Sequence, residues 1–216
     1  MSKTRLAVLI SGTGRNLQAI LEACADGRID AEPVLVLSNR ADAGGLDRAR
    51  QAGVPTQCIE HTAYSSREAF DTALAESLDA VQPDIVALAG FMRILTPGFI
   101  RQFEGRLFNI HPSLLPKYRG LHTHRRALEA GDIWHGASVH YVCEELDAGA
   151  VIKQGRIRVR SDDDESSLAA RVMNEVELSL YPEVLGWAAS GRLAYRDARA
   201  WLDGQALDSP LTGDYG

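Results

Sequence analysis

Short continuous apolar runs alternate along this chain with segments whose apolar residues recur at helical spacing. Arg5-Leu6-Ala7-Val8-Leu9-Ile10 reads as a buried strand. Leu17, Ile20, Leu21 and Cys24 then fall at i, i+3, i+4 and i+7, one face of a helix. Val34 to Leu37 is a second apolar run, and Asp47 to Ala52 a short helix closed by Gly53 and Pro55. Phe70, Leu74, Leu78 and Val81 mark a third helical face, ended by Pro83, and Ile85 to Ala89 is another continuous strand. Unbroken apolar strands interleaved with helices predict βαβ units and a parallel sheet covered on both faces, an α/β class.

The pattern changes after Pro112. Leu114 to Gly120 is a loop rich in Pro, Gly and basic residues, and His122 to Ala130 has the length of a short helix. Ser138 to Val142 and Val151 to Arg160 read as strands. Asp162-x-x-Glu165 has the form of a capping box, opening a long helix that runs to about Ala189. Asp203-Gly204 signals a turn in the tail. No repeat or low-complexity linker interrupts the chain, so residues 1–216 are read as a single domain with two differently built halves, about 1–110 and 111–216.

Composition narrows the class. A chain of 216 residues supports a proper core without staples. Cys24, Cys58 and Cys143 are odd in number and lack C-x-x-C spacing, which argues against a disulfide framework or thiolate zinc site and suits a reducing compartment. A net charge of −6 disfavours non-specific nucleic-acid binding. The run from Arg5 comes directly after the N-terminus with no signal peptide between, and no stretch is long enough to span a bilayer. A cytoplasmic protein with no nucleic-acid or membrane partner is the expectation.

Candidate chemistry concentrates in three places. Asn109 and His111 lie two apart at the end of an apolar run, so on a strand both point to one face. An amide that polarises a carbonyl beside a base that moves a proton is the minimum set for acyl-type transfer. Ser11-Gly12-Thr13-Gly14-Arg15-Asn16 joins the first strand to the first helix, where glycines and free N–H groups suit a phosphate. A dinucleotide is disfavoured, because Leu17 replaces the third glycine and Ser38-Asn39-Arg40 offers no acidic residue for a ribose. The third place is Glu144-Glu145-Leu146-Asp147-Ala148-Gly149. One of its carboxylates is expected to orient His111 and stabilise its protonated form; Asp147, in a turn before Gly149, is preferred over Glu144 and Glu145. His122 and His124 have no carboxylate at ligand spacing, so no metal is expected. Lys117, Arg119, Arg125 and Arg126 form a basic cluster that is either a solvated face or a contact for an anionic substrate.

These segments together resemble the folate-dependent phosphoribosylglycinamide formyltransferases over nearly the whole chain, Leu6 to about Leu207. The motifs are I-S-G-x-G-x-N-L at Ile10–Leu17, A-G-F-M-R-I-L at Ala89–Leu95, N-I-H-P-S-L-L-P at Asn109–Pro116, G-L-H-T-H at Gly120–His124, S-V-H at Ser138–His140, E-L-D-x-G at Glu145–Gly149 and W-L-D-G at Trp201–Gly204. The resemblance implies a Rossmann-like formyltransferase fold. It also implies transfer of a formyl group from 10-formyltetrahydrofolate, a co-substrate, to the amine of glycinamide ribonucleotide in purine synthesis. It implies Asn109, His111 and Asp147 as the catalytic set. Thr13, Gly14, Arg15 and Asn16 would hold the phosphate, and Glu177 the ribose. Met92, Arg93, Ile94, Leu95, Cys143, Glu144, Glu145 and Leu146 would line the folate pocket, with Arg67 a further folate contact. Val176-Glu177-Leu178, Arg119 and Thr13 depart from the family pattern. A monomer or homodimer is expected.

Related enzymes need the same trio. A formyltetrahydrofolate hydrolase would add an N-terminal regulatory domain, and a methionyl-tRNA formyltransferase a basic C-terminal one; the first strand starts by Arg5 and the chain stops at Gly216. A nucleotide-binding module without turnover would keep the glycine loop but leave Asn109, His111 and Asp147 without a task.

Overall fold

Alternate residues of the first strand feed two different cores. Leu6, Val8 and Ile10 pack into one apolar cluster with Leu17, Ile20, Tyr181 and Val184, while Ala7 and Leu9 pack into another with Phe70, Leu74 and Phe99. A strand buried on both sides has no polar face to show, which is why its sequence is apolar from Leu6 to Ile10.

The computed structural model describes residues 3–215. The strands are β1 (Thr4–Ile10), β2 (Ala31–Ser38), β3 (Thr56–Cys58), β4 (Ile85–Leu88), β5 (Leu107–His111), β6 (Trp134–Tyr141), β7 (Val151–Arg158), β8 (Leu193–Arg196), β9 (Arg199–Leu202), β10 (Gln205–Ala206) and β11 (Leu211–Asp214). The helices are α1 (Arg15–Ala25), α2 (Gly45–Gln51), α3 (Arg67–Val81), α4 (Pro97–Gln102), α5 (Thr123–Glu129), α6 (Glu165–Arg171) and α7 (Leu178–Ala189).

Eight strands form one sheet in the order β11-β7-β6-β5-β4-β1-β2-β3. Pairing is parallel except at β5–β6 and β6–β7, so the central sheet is mostly parallel, with helices on both faces, as expected. The order reverses between β1 and β4. In open α/β sheets such a switch point opens a crevice at the C-terminal strand ends, where ligands bind. β8, β9 and β10 make a separate antiparallel sheet.

The region after Arg160 differs from its sequence reading. The capping box is not Asp162 with Glu165. Asp164 caps α6, with its carboxylate accepting from Ser167 N and the Ser167 hydroxyl accepting from Asp164 N. Both spacings occur in the same acidic run, and only the reciprocal serine fixes the start. The expected long helix is interrupted by a π turn over Val172–Glu177. Such a turn carries an extra residue and rotates the helix beyond it. It leaves Val172 and Val176 in the core and Glu177 buried against Asn16 of α1.

Candidate active site

The glycine loop is held by its neighbours as much as by its own residues. Gly14 caps α1 in the left-handed region at φ 73°, and no side chain caps the helix. A Cβ on Gly14 would stand 2.6 Å from Gly45 Cα, so glycine is required here for both conformation and packing. Ser11 Oγ donates to Asn39 Oδ1 (2.5 Å) and accepts from Met92 N (2.8 Å), tying the ends of β1 and β2 to the segment after β4. Thr13 turns its carbonyl to Arg48, whose Nε donates at 2.8 Å.

Asn16 and Glu177 are both buried, at 6% and 5% exposure, and Asn16 Nδ2 donates to Glu177 Oε2 at 2.7 Å. Burial pushes the Glu177 carboxyl above its ordinary value, against the opposing pull of Asn16 and Arg15. Among the described residues Asn16 Oδ1 is buried without a hydrogen-bond partner, and Arg15 is tied to Asn174 Oδ1 from the π turn. The π turn therefore brings the second half of the chain to the glycine loop of the first.

Asn109 and His111 project from the end of β5, which pairs antiparallel with β6; Asn109 faces His140, and His111 faces Ser138. His140 Nδ1 donates to the Tyr141 carbonyl (2.8 Å), so Nε2 carries the lone pair and accepts from Asn109 Nδ2 at 3.1 Å. Burial holds His140 well below the ordinary imidazole value, which keeps it neutral and able to accept. His111 Nε2 donates to the Tyr118 carbonyl at 2.9 Å. Its other nitrogen, Nδ1, stands 3.4 Å from Asp147 Oδ2, with both side chains 8% exposed.

Of the three carboxylates in the loop after β6, only Asp147 turns inward. Glu144 pairs with Arg101 at 2.5 Å and Glu145 with Arg119, both at the surface. Asp147 takes a left-handed conformation at φ 49°, and its Oδ2 also accepts from Gly120 N at 2.9 Å. Cys143 Sγ bonds the Glu145 carbonyl. Behind His111, Ser138 Oγ donates to Ser113 O and accepts from Leu115 N, and Gln154 Nε2 donates to both Leu115 O and Ser138 Oγ.

Met92, Ile94 and Leu146 are exposed apolar side chains, whereas Leu95 is buried in the core with Phe91 and Phe99. Arg93 lies over the Phe70 ring, 5.9 Å from its centroid, with its Nε buried and without a partner among the described residues; Arg67 opens α3 at the surface. The basic cluster is locally matched: Lys117 pairs with Asp132, Arg119 with Glu145 and Arg125 with Glu165, while Arg126 donates to the Arg119 carbonyl. His124 Nδ1 meets His135 Nε2 at 3.0 Å, and His122 contacts Arg125. Among the described residues, no group of three or more His, Cys, Asp or Glu is arranged to hold a metal ion, and no helix is long and apolar enough to cross a membrane.

Sequence reasoning overlooks His140 as Asn109's partner and the Tyr118 carbonyl as His111's. The β5–β6 register would reveal the first; the second is a backbone group with no side-chain signal.

The mostly parallel sheet flanked by helices is a Rossmann-like frame, with an amide and an imidazole at the C-terminal end of β5 and a carboxylate from the loop after β6 beside them. The formyl transferase family matches residues 4–185, and the chain belongs to it. It is 54% identical over 202 residues to phosphoribosylglycinamide formyltransferase of Escherichia coli (strain K12), covering 94% of this chain and 95% of that protein. It is 48% identical over 191 residues to the trifunctional purine biosynthetic protein adenosine-3 of Drosophila melanogaster, covering 88% of this chain and 14% of that protein. A solved structure of phosphoribosylglycinamide formyltransferase from Coxiella burnetii, in complex with CHES, superposes with a TM-score of 0.93 at 48% identity, covering 98% of this chain and 99% of that one.

Proposed function

We propose that this chain transfers the formyl group of 10-formyltetrahydrofolate to the amine of 5′-phosphoribosylglycinamide, giving the N-formyl product and tetrahydrofolate in de novo purine synthesis. The observation that carries the reading is the clustering of Asn109, His111 and Asp147: Asn109 Nδ2 and Asp147 Oδ1 both approach His140 Nε2, at 3.1 and 3.8 Å, and Asp147 Oδ2 stands 3.4 Å from His111 Nδ1. The names of the similar proteins supply the substrate class.

In this reading the free N–H groups at the start of α1, with Thr13, Gly14, Arg15 and Asn16, take the phosphate, and Glu177 takes the ribose hydroxyls. Exposed Met92, Ile94 and Leu146 suit the flat, largely apolar ring of a folate; Arg93, Cys143, Glu144 and Glu145 frame it, with Leu95 packed behind. Arg67 stands ready for an acidic tail. The proposed chemistry needs no metal.

The substrate amine attacks the formyl carbon. Asn109 donates its amide hydrogen to the developing oxyanion, and His111, protonated at Nδ1, donates a second hydrogen bond. Asp147 stabilises that imidazolium and passes the proton from the attacking nitrogen toward the departing N10. The C–N bond to folate breaks as the new one is completed, so no net proton is gained or lost. Each preorganised donor contributes about 3–4 kcal/mol to the barrier reduction, and the proton transfer roughly 10²–10⁴-fold. The setting is the cytoplasm, with a monomer or homodimer and small-molecule substrates only.

The test is loss of the formyl group from the folate donor, monitored by absorbance with and without the ribonucleotide. Loss that requires the ribonucleotide and yields its formylated form is expected. Equal loss without it would make the chain a hydrolase.

A further inference from the structure

Two carbonyls of the glycine loop are claimed by α2. Gly45 N donates to Gly12 O at 3.0 Å, and Arg48 Nε donates to Thr13 O at 2.8 Å. In a trans peptide the carbonyl and the following N–H point in opposite directions. Turning Gly12 O toward α2 therefore turns Thr13 N–H away from it, and turning Thr13 O toward Arg48 does the same for Gly14 N–H. Among the described residues, neither N–H has a hydrogen-bond partner, and neither has that of Arg15 or Asn16 at the open end of α1. Four consecutive N–H groups are thus left without a partner, the backbone pattern that forms a nest for an anion.

The contact is built closely. Gly45 packs under Gly14, where any added Cβ would fall 2.6 Å from Gly45 Cα, and Arg48 Cδ would be 3.5 Å from that same Cβ. Arg48 is half-buried, and its second bond, to Gln18 Oε1 on α1, is long at 3.5 Å. The short bond to Thr13 O is thus the one that fixes the guanidinium, and it fixes the peptide in return.

We propose that Arg48 is a positioning residue for substrate phosphate: it orients the Thr13–Gly14 peptide so that the loop's N–H groups face the anion. This role rests on the proposed phosphate site. Arg48 acts through the backbone and need not touch the substrate itself. Its effect falls on capture of the ribonucleotide and not on the chemical step at His111.

Arg48→Met and Arg48→Lys test it, with wild type titrated in parallel by inorganic phosphate while the Thr13–Asn16 amides are monitored by NMR. In Arg48→Met the free-protein amide signals of Thr13 and Gly14 should move. Phosphate affinity should fall and KM for the ribonucleotide rise about tenfold, the scale of one hydrogen bond from a charged group. kcat and KM for the formyl donor should stay within about twofold. Arg48→Lys, which keeps a charge but displaces the donor, should lie between the two, and it serves as the readout if the methionine variant does not fold. If wild-type Thr13–Asn16 amides ignore phosphate, the phosphate site and the role of Arg48 fall together. If they respond and the variants bind phosphate as well as wild type, the role of Arg48 alone is overturned.

Discussion

Asn109 Nδ2 donates to His140 Nε2 across the β5–β6 ladder, 3.1 Å between the nitrogens, from directly opposed positions in the strand register. The bond takes one of the two amide hydrogens of Asn109, and in the proposed mechanism the other meets the oxyanion. His140→Phe removes the acceptor while keeping a ring of similar volume. We expect kcat to fall roughly 10- to 100-fold through misaiming of the oxyanion donor, with folate KM nearly unchanged. Steady-state kinetics check this; a folded variant with kcat within about threefold of wild type would detach His140 from Asn109's task.

Gly14→Ala forces a side chain into the left-handed region and against Gly45 Cα, backbone that cannot step aside. We expect a loss of about 2 kcal/mol or more of stability, read as a lower denaturation midpoint, together with weaker ribonucleotide binding. Unchanged stability would mean that the loop relaxes freely.

Glu177→Gln keeps an acceptor for Asn16 but removes a buried charge that burial already disfavours. The variant should melt at or above the wild-type temperature while KM for the ribonucleotide rises tenfold or more. Opposite signs for stability and binding would mark Glu177 as a residue kept for its ligand. A large drop in melting temperature with normal KM would mark it as structural.

Much of this arrangement can be read from residue order, and the exceptions have physical causes. β1 from Leu6 onward and β4 announce themselves because both faces are covered, so nothing polar breaks the run before the strand ends, whereas β5 is interrupted by Asn109. β3 is three exposed or half-exposed residues at a sheet edge, and β8 to β11 are short and mostly half-buried or exposed, so they carry no period. α4 is only six residues, and its Thr96-Pro97 start is the sole hint. The π turn before α7 is invisible because apolar spacing tolerates one extra residue. In the site, the i, i+2 spacing places Asn109 and His111 on one face. Asp147 is preferred among three neighbouring carboxylates from its turn before Gly149, and the fold adds the physical reason: surface arginines from α4 and the loop at Arg119 draw off Glu144 and Glu145.

His135 is pushed down to about 4 by burial and by His124 beside it; Asp132 opposes that shift, and His111 and Lys117 add to it. Its unfolded value is about 6.5. The unfolded chain therefore binds this proton more readily, and stability is lost as pH falls from about 6.5 to about 4. His135→Gln cannot take up the proton. The stability advantage of wild type over the variant should shrink across that window, by at most about 3 kcal/mol. Glu177 and Asp71, raised by burial, act in the opposite sense in both proteins and cancel in the difference. Denaturant melts at pH 7 and pH 5 check it; a difference independent of pH would refute it.

The most direct measurement is the turnover of His111→Ala at saturating ribonucleotide and formyl donor, beside its affinity for a folate analogue. The account predicts kcat lower by about 10²–10⁴ with folate affinity within about threefold. Turnover within about threefold of wild type would remove His111, and with it the Asn109–His111–Asp147 convergence, from the chemistry.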